Sequence, residues 1–478
     1  MSIALTRRRF ILGTAGLATL PAAGLARASQ PKPADVLVIG AGLSGLAAAL
    51  TLEAAGATVT VLESQRRVGG KMLSFDSVPG RPEAGGQSIG PGYGRVLAAA
   101  RRYGVQLEDA LPSMRRHGKI ELVLRGRVID AEDWPASQDN PFPEGARDQM
   151  PWQYAARLLN ANNPLDPADV WYAPEMARHD VAMHQFLRGL GASEASIALA
   201  YGTNVSYGTS AHDVSALQLM FIDAWGGVQR RIQPTAVYRA PAGNQRIPEA
   251  MADALEREVH LGQRVVGIDT SGDGVTVDCL DGSRYSARAA ICALPFSVVR
   301  ELKFDPVLSG VQGEAIRTLP HQHVTQIALT AKRPFWKEDG LSPNMWCEGL
   351  LSRTFAHRDA QDEVVSILVS AYGNKASALD RLGQDAAIAR VIDEFERARP
   401  ASTGLLEGVA WHSWGLDPDS AGDWAVFAPG TVTRFLPAMF APHRHVHFCG
   451  EQTAVANRGM EGAMESGERA AIEVLAYL

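Results

Sequence analysis

Three glycines frame the most informative chemistry in the chain. Gly40, Gly42 and Gly45 read G-x-G-x-x-G, set between an apolar run at Val36–Ile39 and an Ala/Leu-rich stretch over 46–55. A second apolar run over 58–62 ends in Glu63, with Ser64 after it. Each residue type has a task in holding a dinucleotide. Gly40 permits the tight turn, Gly42 lets the backbone approach a pyrophosphate, and Gly45 lets helix and strand pack closely. The N-terminus of a helix over 46–55 offers free N–H groups and a partial positive charge to the phosphates, with Leu43 and Ser44 in the turn before it as further cofactor-binding residues. The Glu63 carboxylate can accept hydrogen bonds from a ribose diol, which favours an adenosine ribose without a phosphate.

The elements that must position these groups are a buried parallel strand, a helix and a second parallel strand, the opening unit of a Rossmann-type α/β domain. The chain has 478 residues and is 46% hydrophobic, enough for two or three domains with sizeable cores. Ahead of the first strand, residues 6–28 read TRRRFILGTAGLATLPAAGLARA. Arg7, Arg8 and Arg9 precede an apolar run too short and too rich in Ala and Gly for a membrane span, and Ala26-Arg27-Ala28 suits a cleavage site. The pattern predicts a twin-arginine signal over 1–28 and a periplasmic protein exported already folded. Its removal takes four arginines and no acid, so the net charge of −6 falls to −10. So acidic a chain is a poor partner for nucleic acid or an anionic membrane, and no later segment reads as a membrane span. Cys279, Cys292, Cys347 and Cys449 are far apart without a C-x-x-C pair, so no metal site is expected and buried free thiols are.

Beyond Glu63 the sequence continues ESQRRVGGKMLSF. Arg67, Gly69, Gly70 and Lys71 resemble the R-x-G-G-R signature of the flavin monoamine oxidase family, with Lys71 for the last arginine: still a cation for a phosphate, but without the bidentate fork. Residues 83–90, EAGGQSIG, resemble the family's loop beside the flavin and supply Gly86, Gln87, Ser88 and Ile89. The C-terminal HVHFCGEQTAVANRGMEGAMESGERAA resembles the family's end signature: a strand, a turn at Gly450-Glu451, and a long helix from about Met460. That helix carries a small-residue face at Ala463, Gly467, Ala470 and Ala471, and its start, with Met460 and Glu461, would point at the flavin. Val265 matches by position a valine near the flavin adenine. The resemblance covers most of 35–478. It implies FAD rather than NAD, and an α/β fold with a Rossmann-type FAD-binding domain and an α+β substrate domain. The FAD-binding domain would comprise 29–90, 233–302 and 440–478, and the substrate-binding domain 91–232 and 303–439.

Members of that family pass a hydride equivalent from the carbon next to an amine to flavin N5, the protein supplying position, desolvation and a neutral amine. Two devices recur among them. The first is an aromatic cage at the flavin, and the stretch 414–430, WGLDPDSAGDWAVFAPG, places Trp424 at one cage position. The other position falls where Asn457-Arg458-Gly459 stand, with no aromatic, so a half-built cage is expected and a larger or bicyclic substrate has room. Arg458 reads equally as a substrate anchor or a solvated loop cation. The second device is a strand lysine linked through water to N5 and associated with the oxygen reaction. Counting back eight from Pro334 in PHQHVTQIALTAKRPFW reaches Gln326, while Lys332 sits too far along. A glutamine holds a water but no charge. That favours a carrier protein or quinone as electron acceptor, with oxygen as the other option. Asp423 stands where some relatives have a flavin-linking cysteine, so the FAD is expected to be non-covalent.

The remaining chain predicts hairpins turning at Arg125-Gly126 and Asp281-Gly282, strands over 322–331 and 364–371, and helices over 180–200, 213–225 and 384–398. Residues 134–172 carry no clear periodicity. His321, His323 and His412 read as loop or core histidines rather than bases. An amine is the expected small-molecule substrate, and the sequence leaves room for a homodimer. Two other functions stay open: C–C dehydrogenation, as in the related desaturase and protoporphyrinogen oxidase groups, and flavin binding without turnover.

Overall fold

In the computed structural model, which describes residues 34–232 and 236–478, Val36–Ile39 is the central strand of a five-stranded parallel sheet. All four of its residues are buried, as a parallel strand covered on both faces requires. Across the sheet the order is Val446–Phe448, Ala289–Cys292, Val36–Ile39, Val59–Glu63 and His260–Leu261. The chain leaves the centre in one direction and later returns on the other side. The crevice beyond the carboxyl ends of Val36–Ile39 and Ala289–Cys292 is therefore a topological switch point, where open α/β sheets take their ligands. The leader expected over 1–28 lies outside the described residues.

The first helix runs Leu43–Ala54, starting earlier than the sequence pattern suggests because Gly42, in extended conformation, is its N-cap. The expected C-terminal helix is Gly459–Leu475, and its small-residue face packs on the first helix. Glycine makes both contacts possible. A Cβ on Gly467 would lie 2.1 Å from the Ser44 carbonyl oxygen, and one on Gly45 would lie 1.9 Å from the Gly40 carbonyl oxygen.

A seven-stranded sheet has the order Leu406–Ser413, Val324–Ala331, Val364–Tyr372, Arg353–Arg358, Met345–Cys347, Glu121–Leu124, Arg127–Ile129. The last two strands form the hairpin expected at Arg125-Gly126, whose φ values of 51° and 71° close the turn. The hairpin expected at Asp281-Gly282 joins Val275–Cys279 to Arg284–Ala287 in a four-stranded sheet completed by Val265–Asp269 and Lys303–Asp305.

The helix expected over 384–398 is Gln384–Ala398, and the one over 213–225 begins later and extends further, as Ala216–Ile232. The stretch 180–200 is broken at Gly191, φ +87°, into Met183–Gly189 and a second helical piece from Glu194. The aperiodic stretch contains a helix, Pro151–Ala161, started by a proline at its first position and by the Gln153 side chain accepting from the Met150 N–H at 3.0 Å. All four cysteines are buried and unpaired. Among the described residues, no helix is long and apolar enough to cross a membrane, and no cluster of ligands could hold a metal ion.

Candidate active site

One long cleft, about 1480 Å³ counting its solvent-open mouth, begins at the switch point and ends against the seven-stranded sheet. Its nucleotide end is built from the glycine turn. Gly40 has φ +102°, a conformation open to glycine. Gly42 is different: its φ of −76° and ψ of 177° suit any residue, and an added Cβ would find no protein atom nearer than Gly70 Cα at 3.8 Å. The protein itself does not require glycine there. The space beside Gly42 belongs to the cleft, as a turn that receives a pyrophosphate requires. Glu63 is buried, and its carboxylate accepts the Ala41 and Gln65 N–H groups, each at 2.8 Å. Burial pushes its pKa up, and those two backbone bonds oppose the rise. Its Oε1 also accepts the Ser64 hydroxyl at 3.2 Å, while Oε2 carries only the Ala41 N–H and keeps a lone pair for a ribose hydroxyl.

Most of the expected cofactor residues line this cleft: Gly40, Gly42, Leu43, Ser44, Glu63, Ser64, Gly69, Gly70, Lys71, Gly86, Gln87, Ser88, Gly450, Glu451 and Met460. Five do not. Gly45 lies behind the turn, where its lack of a Cβ serves packing. The Arg67 guanidinium donates to the carbonyls of Gly70 at 2.7 Å, Met72 at 3.2 Å and Val68 at 3.3 Å, so it shapes the loop that lines the cleft. Ile89 is buried and bridged to Tyr238, and Val265 is buried at the start of a strand in the four-stranded sheet. Glu461 is the clearest correction. Helix Gly94–Arg102 begins after Tyr93, with no side-chain cap of its own. The Glu461 carboxylate supplies one, accepting the N–H groups of Arg95 at 3.0 Å and Val96 at 3.2 Å and pairing with the Arg95 guanidinium at 3.1 Å. Its oxygens are spent on orphan donors of a helix start, worth about 1 kcal/mol.

The other end of the cleft holds Gln326, Tyr372, Trp414 and Trp424. Strand register explains the first three. Gln326 pairs with Ser370 on one side and His412 on the other, and Tyr372 and Trp414 follow two residues along their strands, on the same face. Gln326 is 3% exposed, and its Oε1 accepts the Ser370 hydroxyl at 2.6 Å. Lys332 lies past the end of that strand, its Nζ on the Gly404 carbonyl at 3.1 Å. His412 is pushed down to about 4, chiefly by burial, and is therefore neutral at physiological pH.

Trp424 does not stand alone. Its ring centroid is 5.5 Å from that of Tyr207 and 5.9 Å from that of Tyr372, and its indole N–H donates to the Ser206 carbonyl at 3.0 Å. Tyr207 and Tyr372, from two other segments, pack against Trp424. At the expected second cage position, Gly459 (φ +57°) leaves open space, an added Cβ meeting only the Tyr93 hydroxyl at 3.8 Å. Arg458 is no solvated loop cation: its guanidinium donates to the Tyr207 hydroxyl and lies over the Tyr207 and Trp225 rings at 5.9 and 5.7 Å. Lys71 Nζ donates to the Asp423 carbonyl, joining the glycine loop to the Trp424 segment. The Asp423 carboxyl is pushed up to about 7 by burial, with Glu451 adding to the rise and Lys71 and Arg458 opposing it.

Tyr207 and Tyr372 escaped the sequence reading because nothing local marks them. Tyr372 becomes visible once strand 364–372 is set antiparallel to 324–331, while Tyr207 comes from a bend that no period marks. The arrangement holds a dinucleotide at one end and presents a flat aromatic wall with a neutral amide at the other. That combination suits hydride removal from a small molecule laid against a flavin.

Comparison with known proteins agrees. Residues 43–475 match the family described as flavin containing amine oxidoreductase. The chain is 28% identical over 465 residues to flavin-containing amine oxidase B of Sus scrofa, covering 92% of this chain and 86% of the relative. It is 27% identical to the flavin-containing amine oxidase of Danio rerio, covering 92% and 85%. Among solved structures it is similar to a triple mutant of putrescine oxidase, with TM-score 0.75, 24% identity and coverage of 93% and 99%. It is similar also to cyclohexylamine oxidase from Brevibacterium oxydans, with TM-score 0.75, 20% identity and coverage of 93% and 99%. These two likenesses are of fold.

Proposed function

This chain belongs to the flavin containing amine oxidoreductase family, and from that premise we propose that it oxidises the carbon next to an amine nitrogen, giving an imine that water hydrolyses. FAD, the cofactor of this family, supplies the two-electron acceptor when bound. Gly40, Gly42, Leu43 and Ser44 would hold its pyrophosphate and Glu63 its adenosine ribose, while Gly69, Gly70, Lys71, Gly86, Gly450 and Met460 would line the rest of its length.

The observation that carries the reading is the aromatic group Trp424, Tyr372 and Trp414 lining the end of the dinucleotide cleft, with Tyr207 packed behind Trp424. Rigid aromatic faces align a small amine and exclude water from it, and their quadrupoles favour the positive charge that builds on nitrogen as hydride leaves. Anaerobic mixing of the holoenzyme with primary, secondary and cyclic amines, beside amine-free alkenes, tests this. Flavin bleaching by amines alone is expected, and bleaching only by alkenes would overturn it. Trp424→Ala should slow bleaching by about tenfold, on the order of one cation–π contact. Trp424→Phe should retain most of the rate, with flavin content unchanged in both.

We read the FAD as non-covalent, because an aspartate, Asp423, precedes Trp424. Acid precipitation should leave the yellow colour in the supernatant; a pellet that retains flavin contradicts it. Export through the twin-arginine route completes the reading, supported by Arg7-Arg8-Arg9 and the Ala-x-Ala-like site at 26–28. A cofactor held by segments from both ends of the chain needs a folded chain to hold it, so loading before export makes physical sense.

A further inference from the structure

Asp423 is a carboxyl that the protein leaves without a donor. It is part-buried and lines the cleft, and among the described residues its carboxyl oxygens accept no hydrogen bond and sit in no ion pair. Lys71 Nζ donates to the Asp423 carbonyl, not to its carboxyl. Glu451 differs, because its Oε2 accepts the Ala425 N–H at 3.2 Å. Enclosed polar groups are normally hydrogen-bonded, so a carboxyl without a donor calls for a reason. Asp423 stands between Lys71 on the glycine loop and Glu451 after the strand Val446–Phe448, along the stretch of cleft that FAD would fill.

The groups that face it leave Asp423 poised between acid and carboxylate. Burial pushes it up to about 7, Glu451 adds to the rise, and Lys71 and Arg458 oppose it. The Tyr372 phenol is itself raised, chiefly by burial, and stays protonated. Asp423 donates its backbone N–H to the Gln322 carbonyl at 2.8 Å, which places His321 on the neighbouring segment. Burial, with Lys71 and Arg300, holds His321 well below its usual range, so it stays neutral. Near pH 7 Asp423 is therefore about half ionised. Hydride arriving on a bound flavin brings negative charge into the cleft, and a like charge nearby drives a carboxylate toward its acid form.

We propose that Asp423 couples flavin reduction to proton uptake: its carboxylate takes a proton from water as two electrons enter the cleft and returns it when they leave. The substrate delivers both electrons with one hydrogen, as hydride. The further proton forms an O–H bond on an Asp423 oxygen, and that bond breaks when the electron acceptor is reduced. Two unit charges across a cleft, at an effective dielectric of about 20, change an equilibrium by about tenfold. Below about pH 6 Asp423 is acid in both states, and above about pH 9 it is ionised in both, so the extra proton is taken up between those limits.

The test is a slow anaerobic reduction of holoenzyme against a reference dye, repeated from about pH 5.5 to about pH 8.5. At fixed potential, the ratio of reduced to oxidised flavin in Asp423→Asn should exceed that of the wild type by about tenfold at about pH 8.5, where the wild type carries the carboxylate. The two should coincide at about pH 5.5, and near pH 7.5 the wild-type slope should correspond to about half a proton more per two electrons. Asp423→Ala should match Asp423→Asn. Parallel pH slopes in the wild type and the variants overturn the proposal. Loss of flavin from both variants would assign the carboxyl to cofactor retention and overturn it too. No amine enters the measurement, so the proposal stands apart from the amine-oxidation reading: the expected slopes in an enzyme that no amine bleaches support the proposal and overturn that reading alone.

Discussion

Gly42→Ala is expected to give a folded chain that purifies almost free of flavin, whereas Gly45→Ala is expected to give no stable chain. The two glycines belong to one motif, and the space around them separates their roles. At Gly45 an added methyl would sit 1.9 Å from the Gly40 carbonyl oxygen. That oxygen follows the central strand of a five-stranded sheet and cannot retreat, so the cost exceeds the usual 1–3 kcal/mol of an overpacked core. At Gly42 the backbone is already ordinary extended chain and the nearest protein atom is 3.8 Å away. The cost to the empty protein is that of a poorer N-cap, about 1 kcal/mol or less. The loss falls on the ligand, because the methyl takes the space through which backbone N–H groups reach a pyrophosphate. Each charge-assisted bond is worth about 1.5–3 kcal/mol, so losing one or two weakens FAD by about 100-fold. Flavin-to-protein ratio and the melting temperature of the apo forms are the measurements. Wild-type flavin content in Gly42→Ala would remove the pyrophosphate from this turn.

The nucleotide half of the site was legible because its parts are contiguous. A strand, three glycines, a helix and an acid within 28 residues, 36–63, need no knowledge of the rest of the fold. The reaction end was only partly legible. Trp424 and Gln326 could be reached by counting from local landmarks, but Tyr372 enters through antiparallel register with Val324, and Tyr207 through a turn that no period marks. The reading of Glu461 went wrong for a related reason. Its neighbours in sequence belong to a flavin-facing signature, yet its carboxylate serves the uncapped start of helix Gly94–Arg102. That uncapped start, with Tyr93 where Ser, Thr, Asp or Asn would be normal, was the signal in the sequence that pointed elsewhere. Arg458 shows the limit most clearly. As a sequence it is a lone cation in a loop, and only the placement of Tyr207 and Trp225 makes it a held fork.

Gln326→Lys is expected to speed reoxidation of the reduced enzyme by oxygen by about 100-fold while changing the reductive half-reaction little. Oxygen reacts by taking on negative charge, and a glutamine offers that charge only a dipole. A unit charge roughly 6 Å from a developing anion, at an effective dielectric of about 20, is worth about 3 kcal/mol, hence the factor of about 100. The site can carry the lysine. Ser370 now donates to Gln326 Oε1 at 2.6 Å, and its hydroxyl can turn to accept from an ammonium. The cross-strand neighbour His412, pushed down to about 4, stays neutral at working pH and does not repel the new charge. Gln326→Met serves as the uncharged control, and should reoxidise no faster than the parent. Stopped-flow mixing of substrate-reduced enzyme with aerated buffer reads the difference directly. A slow oxygen rate in the parent beside a fast one in Gln326→Lys would support a carrier protein or quinone as the outlet; a fast oxygen rate in the parent would support oxygen. An unaltered oxygen rate in Gln326→Lys would mean that this position does not govern electron release, and the preference for a carrier would then lose its physical basis.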